Sequence, residues 1–367
     1  MGNLSFSRKD KVLIVDDSAF MRKLISDFFI DHPTIEVVGT ARNGQDALTK
    51  IQQLKPDVIT LDVEMPQMNG IDALKKIMET TPMPVVMLSS KTREGTESTL
   101  LAMEYGAFDF VAKPSGTISL DLHKIKDQLL QTVEEALKVP KSKFNSAVKI
   151  TRSVQPGNVI ETPKRLQSER ANFMPNSKKI VLIGTSTGGP RALQNVITKL
   201  PATIKAPILI VQHMPAGFTK SLAERLNQLS KVVVKEAEHG DILQDGHAYV
   251  APGGYHLRVN KVGTAYAIAL DNKEPARSGH RPAVDVMYED LSKYKELDKI
   301  AVIMTGMGAD GSKGLIELKK TGNTIAIAES AETCIVYGMP KAAVETQLVD
   351  EVVFVEDIAQ TIMKYLP

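Results

Sequence analysis

Residues Ile183–Pro190 read Ile-Gly-Thr-Ser-Thr-Gly-Gly-Pro, IGTSTGGP, and close the apolar run that begins at Ile180. A β-rich run that enters glycines and then a proline suited to the first helical position is a strand-to-helix turn. Such a turn assigns the segment to a parallel sheet covered by helices. Three uses fit it. Gly184-x-Ser186-x-Gly188 matches the pattern of a serine nucleophile on a tight turn. The glycines also suit a phosphate seated on a helix N-terminus, or a turn with no chemistry. A phosphate loop of the G-x-x-x-x-G-K-[ST] kind needs a lysine that is absent here, and a dinucleotide fingerprint needs a middle glycine that is also absent.

Outward from this turn the same theme repeats. Lys179 onward offers strand candidates Ile180–Ile183, Ile208–Val211, Ile300–Met304 and Thr324–Ala328. Gly246–Val259 reads as a β-hairpin around a Pro-Gly-Gly turn. Towards the N-terminus, apolar runs at Val12–Val15, Glu36–Gly39, Val58–Leu61, Val85–Leu88 and Phe108–Val111 alternate with helical patterns. Between the two series, residues 139–178 lose apolar periodicity and turn basic and polar, as a flexible linker does. The expected architecture is α/β. Two doubly wound parallel-sheet domains, residues 9–138 and 179–367, are joined by a linker, and the second carries the hairpin.

The bulk composition narrows the class. The chain has 367 residues, 43% hydrophobic and 24% charged, which are ordinary globular values. A formal net charge of +2 gives no electrostatic case for a nucleic-acid partner. The single cysteine, Cys334, excludes an internal disulfide and suits a reducing compartment. No apolar run spans a bilayer, the first residues lack a signal-peptide core, and Phe6 breaks a myristoylation pattern. A cytoplasmic monomer without membrane insertion is expected.

In the first domain Asp16 and Asp17 follow one strand, Asp62 another, Ser89 a third and Lys113 a fourth. Parallel sheets gather ligands at strand carboxyl ends, so these residues should converge. Clustered carboxylates call for a cation, and Mg²⁺ suits oxygen ligands. A carboxylate can also take a phosphoryl group. The plainer alternative is that each aspartate caps the helix that follows it. Residues 11–130, with VDDS, LDVEMPQMNGID, MLSS and AKP in order, resemble a response-regulator receiver of flavodoxin-like fold. The resemblance implies Asp62 as phospho-acceptor, and Asp16, Asp17 and Asp62 as Mg²⁺ ligands beside the backbone carbonyl of Glu64. It also implies Ser89 and Lys113 as phosphate switch, Phe110 as its aromatic companion, and a cis Lys113–Pro114 bond.

In the second domain a reactive serine needs a base, and the base an orienting acid. His213 directly follows the strand ending at Gln212, and Asp310 follows the glycine-rich TGMGAD. His280 and His256 are rival bases, and Asp285 and Asp245 rival acids; strand-end placement favours His213 and Asp310. The turn near Met307 offers N–H groups to an oxyanion. The order Ser, His, Asp differs from the common hydrolase orders, so a usual nucleophile elbow does not follow. Lys179–Pro367, with IGTSTGGP, QHMP, APGG, GHRPAVD and MTGMGADG, resembles the catalytic domain of the chemotaxis protein-glutamate methylesterases, the CheB family. The resemblance implies a Rossmann-like domain with Ser186 as nucleophile, His213 as base and Asp310 as its acid. It further implies the Met307 N–H in the oxyanion hole and Thr187 beside the nucleophile.

It also implies hydrolysis of glutamyl γ-methyl esters on the cytoplasmic domains of methylated chemoreceptors, deamidation of receptor glutamines, and a chemotaxis histidine kinase as phosphodonor. Mg²⁺ serves the receiver alone, with no organic cofactor. A DNA-binding output would need a basic recognition helix, whereas the C-terminal DEVVFVEDIAQTIMKYLP is acidic to neutral. A nicotinamide-binding domain fails on the missing fingerprint.

Overall fold

In a computed structural model of the chain, Val12, Leu13, Ile14 and Val15 have no exposed surface, as a strand covered on both faces requires. They belong to β1 (Asp10–Val15), followed by β2 (Ile35–Ala41), β3 (Val58–Asp62), β4 (Val85–Ser89) and β5 (Asp109–Ala112). The structure describes residues 8–90, 92–113, 121–144, 173 and 177–366. The Lys113–Pro114 bond, expected to be cis, and most of the expected linker lie outside these residues. The chain divides into two units, Met1–Ser153 and Val154–Pro367.

In the first unit the five strands run parallel in the order β2-β1-β3-β4-β5. Helices Ala19–Phe28, Gly44–Leu54, Gly70–Thr80 and Arg93–Glu104 start on Ser18, Asn43, Asn69 and Thr92, each accepting a backbone N–H from the first turn. The caps are therefore residues other than Asp16, Asp17 and Asp62, which removes the plainer reading of those aspartates. Helix Asp121–Lys138 is followed by a 3-10 turn, Lys141–Lys143. Phe144 then packs its ring 6.4 Å from that of Phe108, so ordered packing continues past residue 139, where the linker was expected to begin.

The second unit contains β6 (Lys178–Thr185), β7 (Ile208–Gln212), β8 (Val233–Glu236), β9 (His247–Val250), β10 (His256–Val262), β11 (Ala265–Asp271), β12 (Leu297–Ile303), β13 (Thr324–Glu329) and β14 (Glu351–Val353). Seven of them form one parallel sheet in the order β14-β13-β12-β6-β7-β9-β8. The chain enters at the centre with β6, extends to one side through β7, β8 and β9, then returns to the other side with β12. That reversal beside β6 is the topological switch point where parallel sheets build their sites.

The hairpin expected at Gly246–Val259 is corrected. β9 enters the parallel sheet between β7 and β8, with Ala248 and Val250 fully buried. The actual hairpin pairs β10 with β11, closing from Val262 to Ala265 across Gly263, whose φ of +60° suits such a tight turn. Pro252–Gly254 instead carries the chain out of the large sheet. Among the described residues no helix is long and apolar enough to cross a membrane.

Candidate active site and receiver pocket

The carboxyl ends of β1, β3 and β5 bring Asp16, Asp17, Asp62 and Lys113 together. Carboxylate oxygens of the three aspartates lie within 4.8 Å of one another. The Lys113 ammonium stands 2.7 Å from Asp62 Oδ2 and 2.9 Å from Asp16 Oδ2. Burial pushes Asp62 up to about 6, with the Asp16 charge adding to the shift and Lys113 opposing it. Burial alone would lower the Lys113 ammonium, but Asp62 and Asp16 outweigh it and hold it above its ordinary value. Three carboxylates against one ammonium leave excess negative charge, and the all-oxygen donor set fits Mg²⁺.

Glu64 is fixed beside the pocket: its N–H donates to Asp62 Oδ1 at 3.3 Å, and its carboxylate accepts from Ser90 Oγ at 3.1 Å. The switch residues differ. Lys113 reaches the carboxylates, whereas the buried Ser89 hydroxyl donates towards the carbonyls of Ser90 and Gly95, both at 3.1 Å. Phe110 is buried within β5.

In the second unit, register sets the geometry. Thr185 pairs with Gln212 across β6 and β7, so Ser186 and His213 emerge side by side. The His213 N–H donates to the Thr185 carbonyl at 3.2 Å, and Gln212 Nε2 donates to the Ser186 carbonyl at 3.0 Å. From the other side the Ser186 N–H donates to Thr305 O at 3.0 Å, and Thr305 Oγ1 donates to Thr187 O at 2.9 Å. Gly306 passes so close that a Cβ there would lie 2.8 Å from Ser186 Cβ, which explains the glycine before Met307.

His213 Nε2 and Asp310 Oδ2 are 2.8 Å apart, both side chains only 4% exposed. Asp310 also accepts the N–H groups of Val284 (2.7 Å) and Asp285 (2.9 Å). Burial opposes its ionisation, but the bond from His213 and these N–H groups outweigh it and hold the carboxyl below its usual range. Among the described residues, the buried His213 Nδ1 has no hydrogen-bond partner.

The rivals are placed as well. His280 stacks on His213, ring centroids 3.9 Å apart and planes 4° from parallel. Burial and the neighbouring His213 push His280 down to about 4. His256 is buried with Nε2 on the carbonyl of Pro275, and Asp245 is exposed. The sequence reading missed Gln212, Thr305 and Glu329, which holds the Thr305 N–H at 2.8 Å. Their residue types carry no signal for this, since each acts by holding the backbone of the nucleophile turn.

A receiver-type acidic pocket in one unit and a Ser–His–Asp array at the switch point of the other define a class: a response regulator whose output is a hydrolase. The CheB methylesterase family model matches residues 181–362, and the response regulator receiver domain model residues 12–123. A protein of Halalkalibacterium halodurans named protein-glutamate methylesterase/protein-glutamine glutaminase is 54% identical over 354 residues, covering 96% of this chain and 97% of that protein. One of the same name from Geobacillus kaustophilus is 54% identical over 360 residues, covering 97% and 98%. The solved catalytic domain of Thermotoga maritima CheB methylesterase is 44% identical, covers 51% of this chain and 98% of that chain, and superposes with a TM-score of 0.49. The chain belongs to the protein-glutamate methylesterase/protein-glutamine glutaminase family and is a hydrolase of chemotaxis bearing a receiver domain.

Proposed function

We propose that the chain removes methyl esters from glutamyl side chains of chemoreceptors by a serine acyl-enzyme, under control of phosphorylation at Asp62. The observation that carries the reading is His213. Asp310 engages its Nε2, while its buried Nδ1 has no partner and its backbone is tied to Thr185, next to Ser186. Nδ1 takes the Ser186 proton as Oγ attacks the γ-carbonyl carbon. The N–H of Met307 receives the developing oxyanion, with Thr187 beside the nucleophile. His213 returns the proton to the leaving methoxide, and methanol departs. Water, deprotonated by His213, then attacks the acyl carbon, and His213 passes that proton to Ser186 Oγ as the acyl bond breaks, releasing a free glutamate. With ammonia as leaving group the same steps deamidate glutamine.

In the receiver, Asp16, Asp17 and Asp62, with the carbonyl of Glu64, would hold Mg²⁺, which screens phosphate charge when bound. Asp62 accepts a phosphoryl group from a chemotaxis histidine kinase. Lys113 then holds a phosphate oxygen, and Ser89 turns from the helix Arg93–Glu104 to hold another, with Phe110 following. Both steps take place in the cytoplasm, where the receptor's methylated segments lie. The test is methanol release from methyl-labelled receptor fragments by the full chain. Absence of release, with the protein folded, would reject the substrate assignment.

A further inference from the structure

Asp285 and Asp310 each serve the other's helix. Asp310 accepts the N–H groups of Val284 and Asp285, the first residues of helix Val284–Ser292. Asp285 Oδ1 in return accepts the N–H of Gly311 at 2.9 Å and of Gly314 at 2.7 Å, at the start of helix Ser312–Thr321. Gly311 N–H is shared with Asp310 Oδ1 at 3.0 Å. Neither helix has a side-chain cap of its own, since Ala283 and Gly311 occupy the cap positions. The free N–H groups of each helix start are thus met by the aspartate of the other. Both residues are buried, Asp285 4% and Asp310 7% exposed as whole residues.

We propose that Asp285 is a positioning residue of the hydrolase: it fixes the turn that aims Asp310 at His213, and its charge strengthens Asp310 as the acceptor of that bond. This rests on the Ser186–His213–Asp310 reading. Placing a second carboxylate beside Asp310 is electrostatically costly, and burial together with Asp310 pushes Asp285 up to about 6, the Gly314 and Gly311 N–H groups opposing. A residue needed only to cap a helix could be a neutral asparagine or serine. The other ionisable groups facing the pair are few. His213 bonds Asp310 from the end of β7, and His280 lies over His213 as the neutral ring. Glu289 and Tyr288 lie further along the helix of Asp285, with Tyr288 OH donating to the Val302 carbonyl. Lys313, in the first turn of the facing helix, is exposed.

The test compares the full-length chain with Asp285→Asn, Asp285→Ala and Ser186→Ala, measuring methanol release from about pH 5 to about pH 9. Asparagine keeps an acceptor for Gly311 and Gly314 but removes the charge. Asp285→Asn should keep KM and lose roughly tenfold in kcat. It should also move the acid limb of kcat/KM to lower pH by about half a unit over the range above about 6, where Asp285 is ionised, because the cationic form of the Asp310–His213 pair loses a nearby negative charge. Asp285→Ala, which also frees the turn, should lose about 100-fold. A merely structural role would leave the acid limb in place. Wild-type kcat and an unmoved limb in Asp285→Asn overturn the proposal, and this variant decides alone if Asp285→Ala does not fold. Should Ser186→Ala remain active, the underlying reading and this inference fall together. An inactive Ser186→Ala beside an unaltered Asp285→Asn removes this inference only.

Discussion

The Ser186 backbone is held by the Thr305 carbonyl and the Gln212 side-chain amide, with Gly306 passing close, so deleting Oγ leaves these holds on the turn in place. Ser186→Ala should therefore fold normally and lose activity by roughly 10⁶-fold, the scale of triad removal. Asp310→Asn should cost less, about 10⁴-fold, because the amide still fills the site but favours the wrong imidazole tautomer. A double variant no worse than Ser186→Ala would show the two acting as one unit; additive losses would refute it. Glu329, one layer below, makes a stability prediction. It is 1% exposed and bonded to Thr305 N–H and Thr333 Oγ1, and burial pushes its carboxyl up to about 7 from 4.5. A raised acid binds its proton more tightly when folded. Its stabilising contribution is complete below pH 4.5 and is lost as pH rises through about 7. Glu329→Gln stays neutral throughout, so its melting temperature should gain on the wild type between about pH 5 and pH 8, by an amount worth roughly 3 kcal/mol. An unchanged gap at both ends would show that Glu329 does not titrate in that window.

At the scale of elements, the legible strands were those buried on both faces, because a parallel strand writes itself as an unbroken apolar run, as in Val12–Val15 or Ile208–Val211. β8 (VVKE) and β14 (EVV) escaped notice: both are edge strands, short and mixed in polarity. β9 was assigned to the wrong partner because Pro252-Gly253-Gly254 resembles a hairpin turn, while the true turn, Gly263-Thr264, carries a weaker signal. The site divides the same way. Residues directly beyond legible strands, Ser186, His213 and Asp62, could be nominated from the sequence; contacts that depend on two loops meeting, such as His280 on His213 or Asp285 on Gly311, have no local signature. The β9 correction is testable. Ala248 is fully buried between β7 and β8, so Ala248→Lys places an unpaired charge in the sheet and should prevent stable folding, at a cost of several kcal/mol. Lys261→Ala in β10, at an exposed position, should change the melting temperature little. Equal tolerance of both substitutions in circular-dichroism melts would return β9 to a peripheral hairpin.

For the whole molecule, a receiver and a hydrolase on one chain matter to each other only if phosphate on Asp62 favours one of two states that differ in hydrolytic rate. A tenfold rise in methanol release corresponds to about 1.4 kcal/mol in the activation barrier, well within what one phosphate bonded to Lys113 and Ser89 can bias. Lys113 neutralises part of the Asp16 and Asp62 charge, and the Ser89 hydroxyl bonds a carbonyl of the following helix. A small phosphodonor with Mg²⁺ should accordingly raise the rate of the full chain. Asp62→Asn should keep the basal rate and lose the rise, and chelating Mg²⁺ should do the same to the wild type. Lys113→Ala separates the two steps: it should still incorporate phosphate, scored by phosphoprotein electrophoresis, while methanol release stays basal. If Lys113→Ala is activated as fully as the wild type, the signal leaves Asp62 by a route that does not pass through this ammonium.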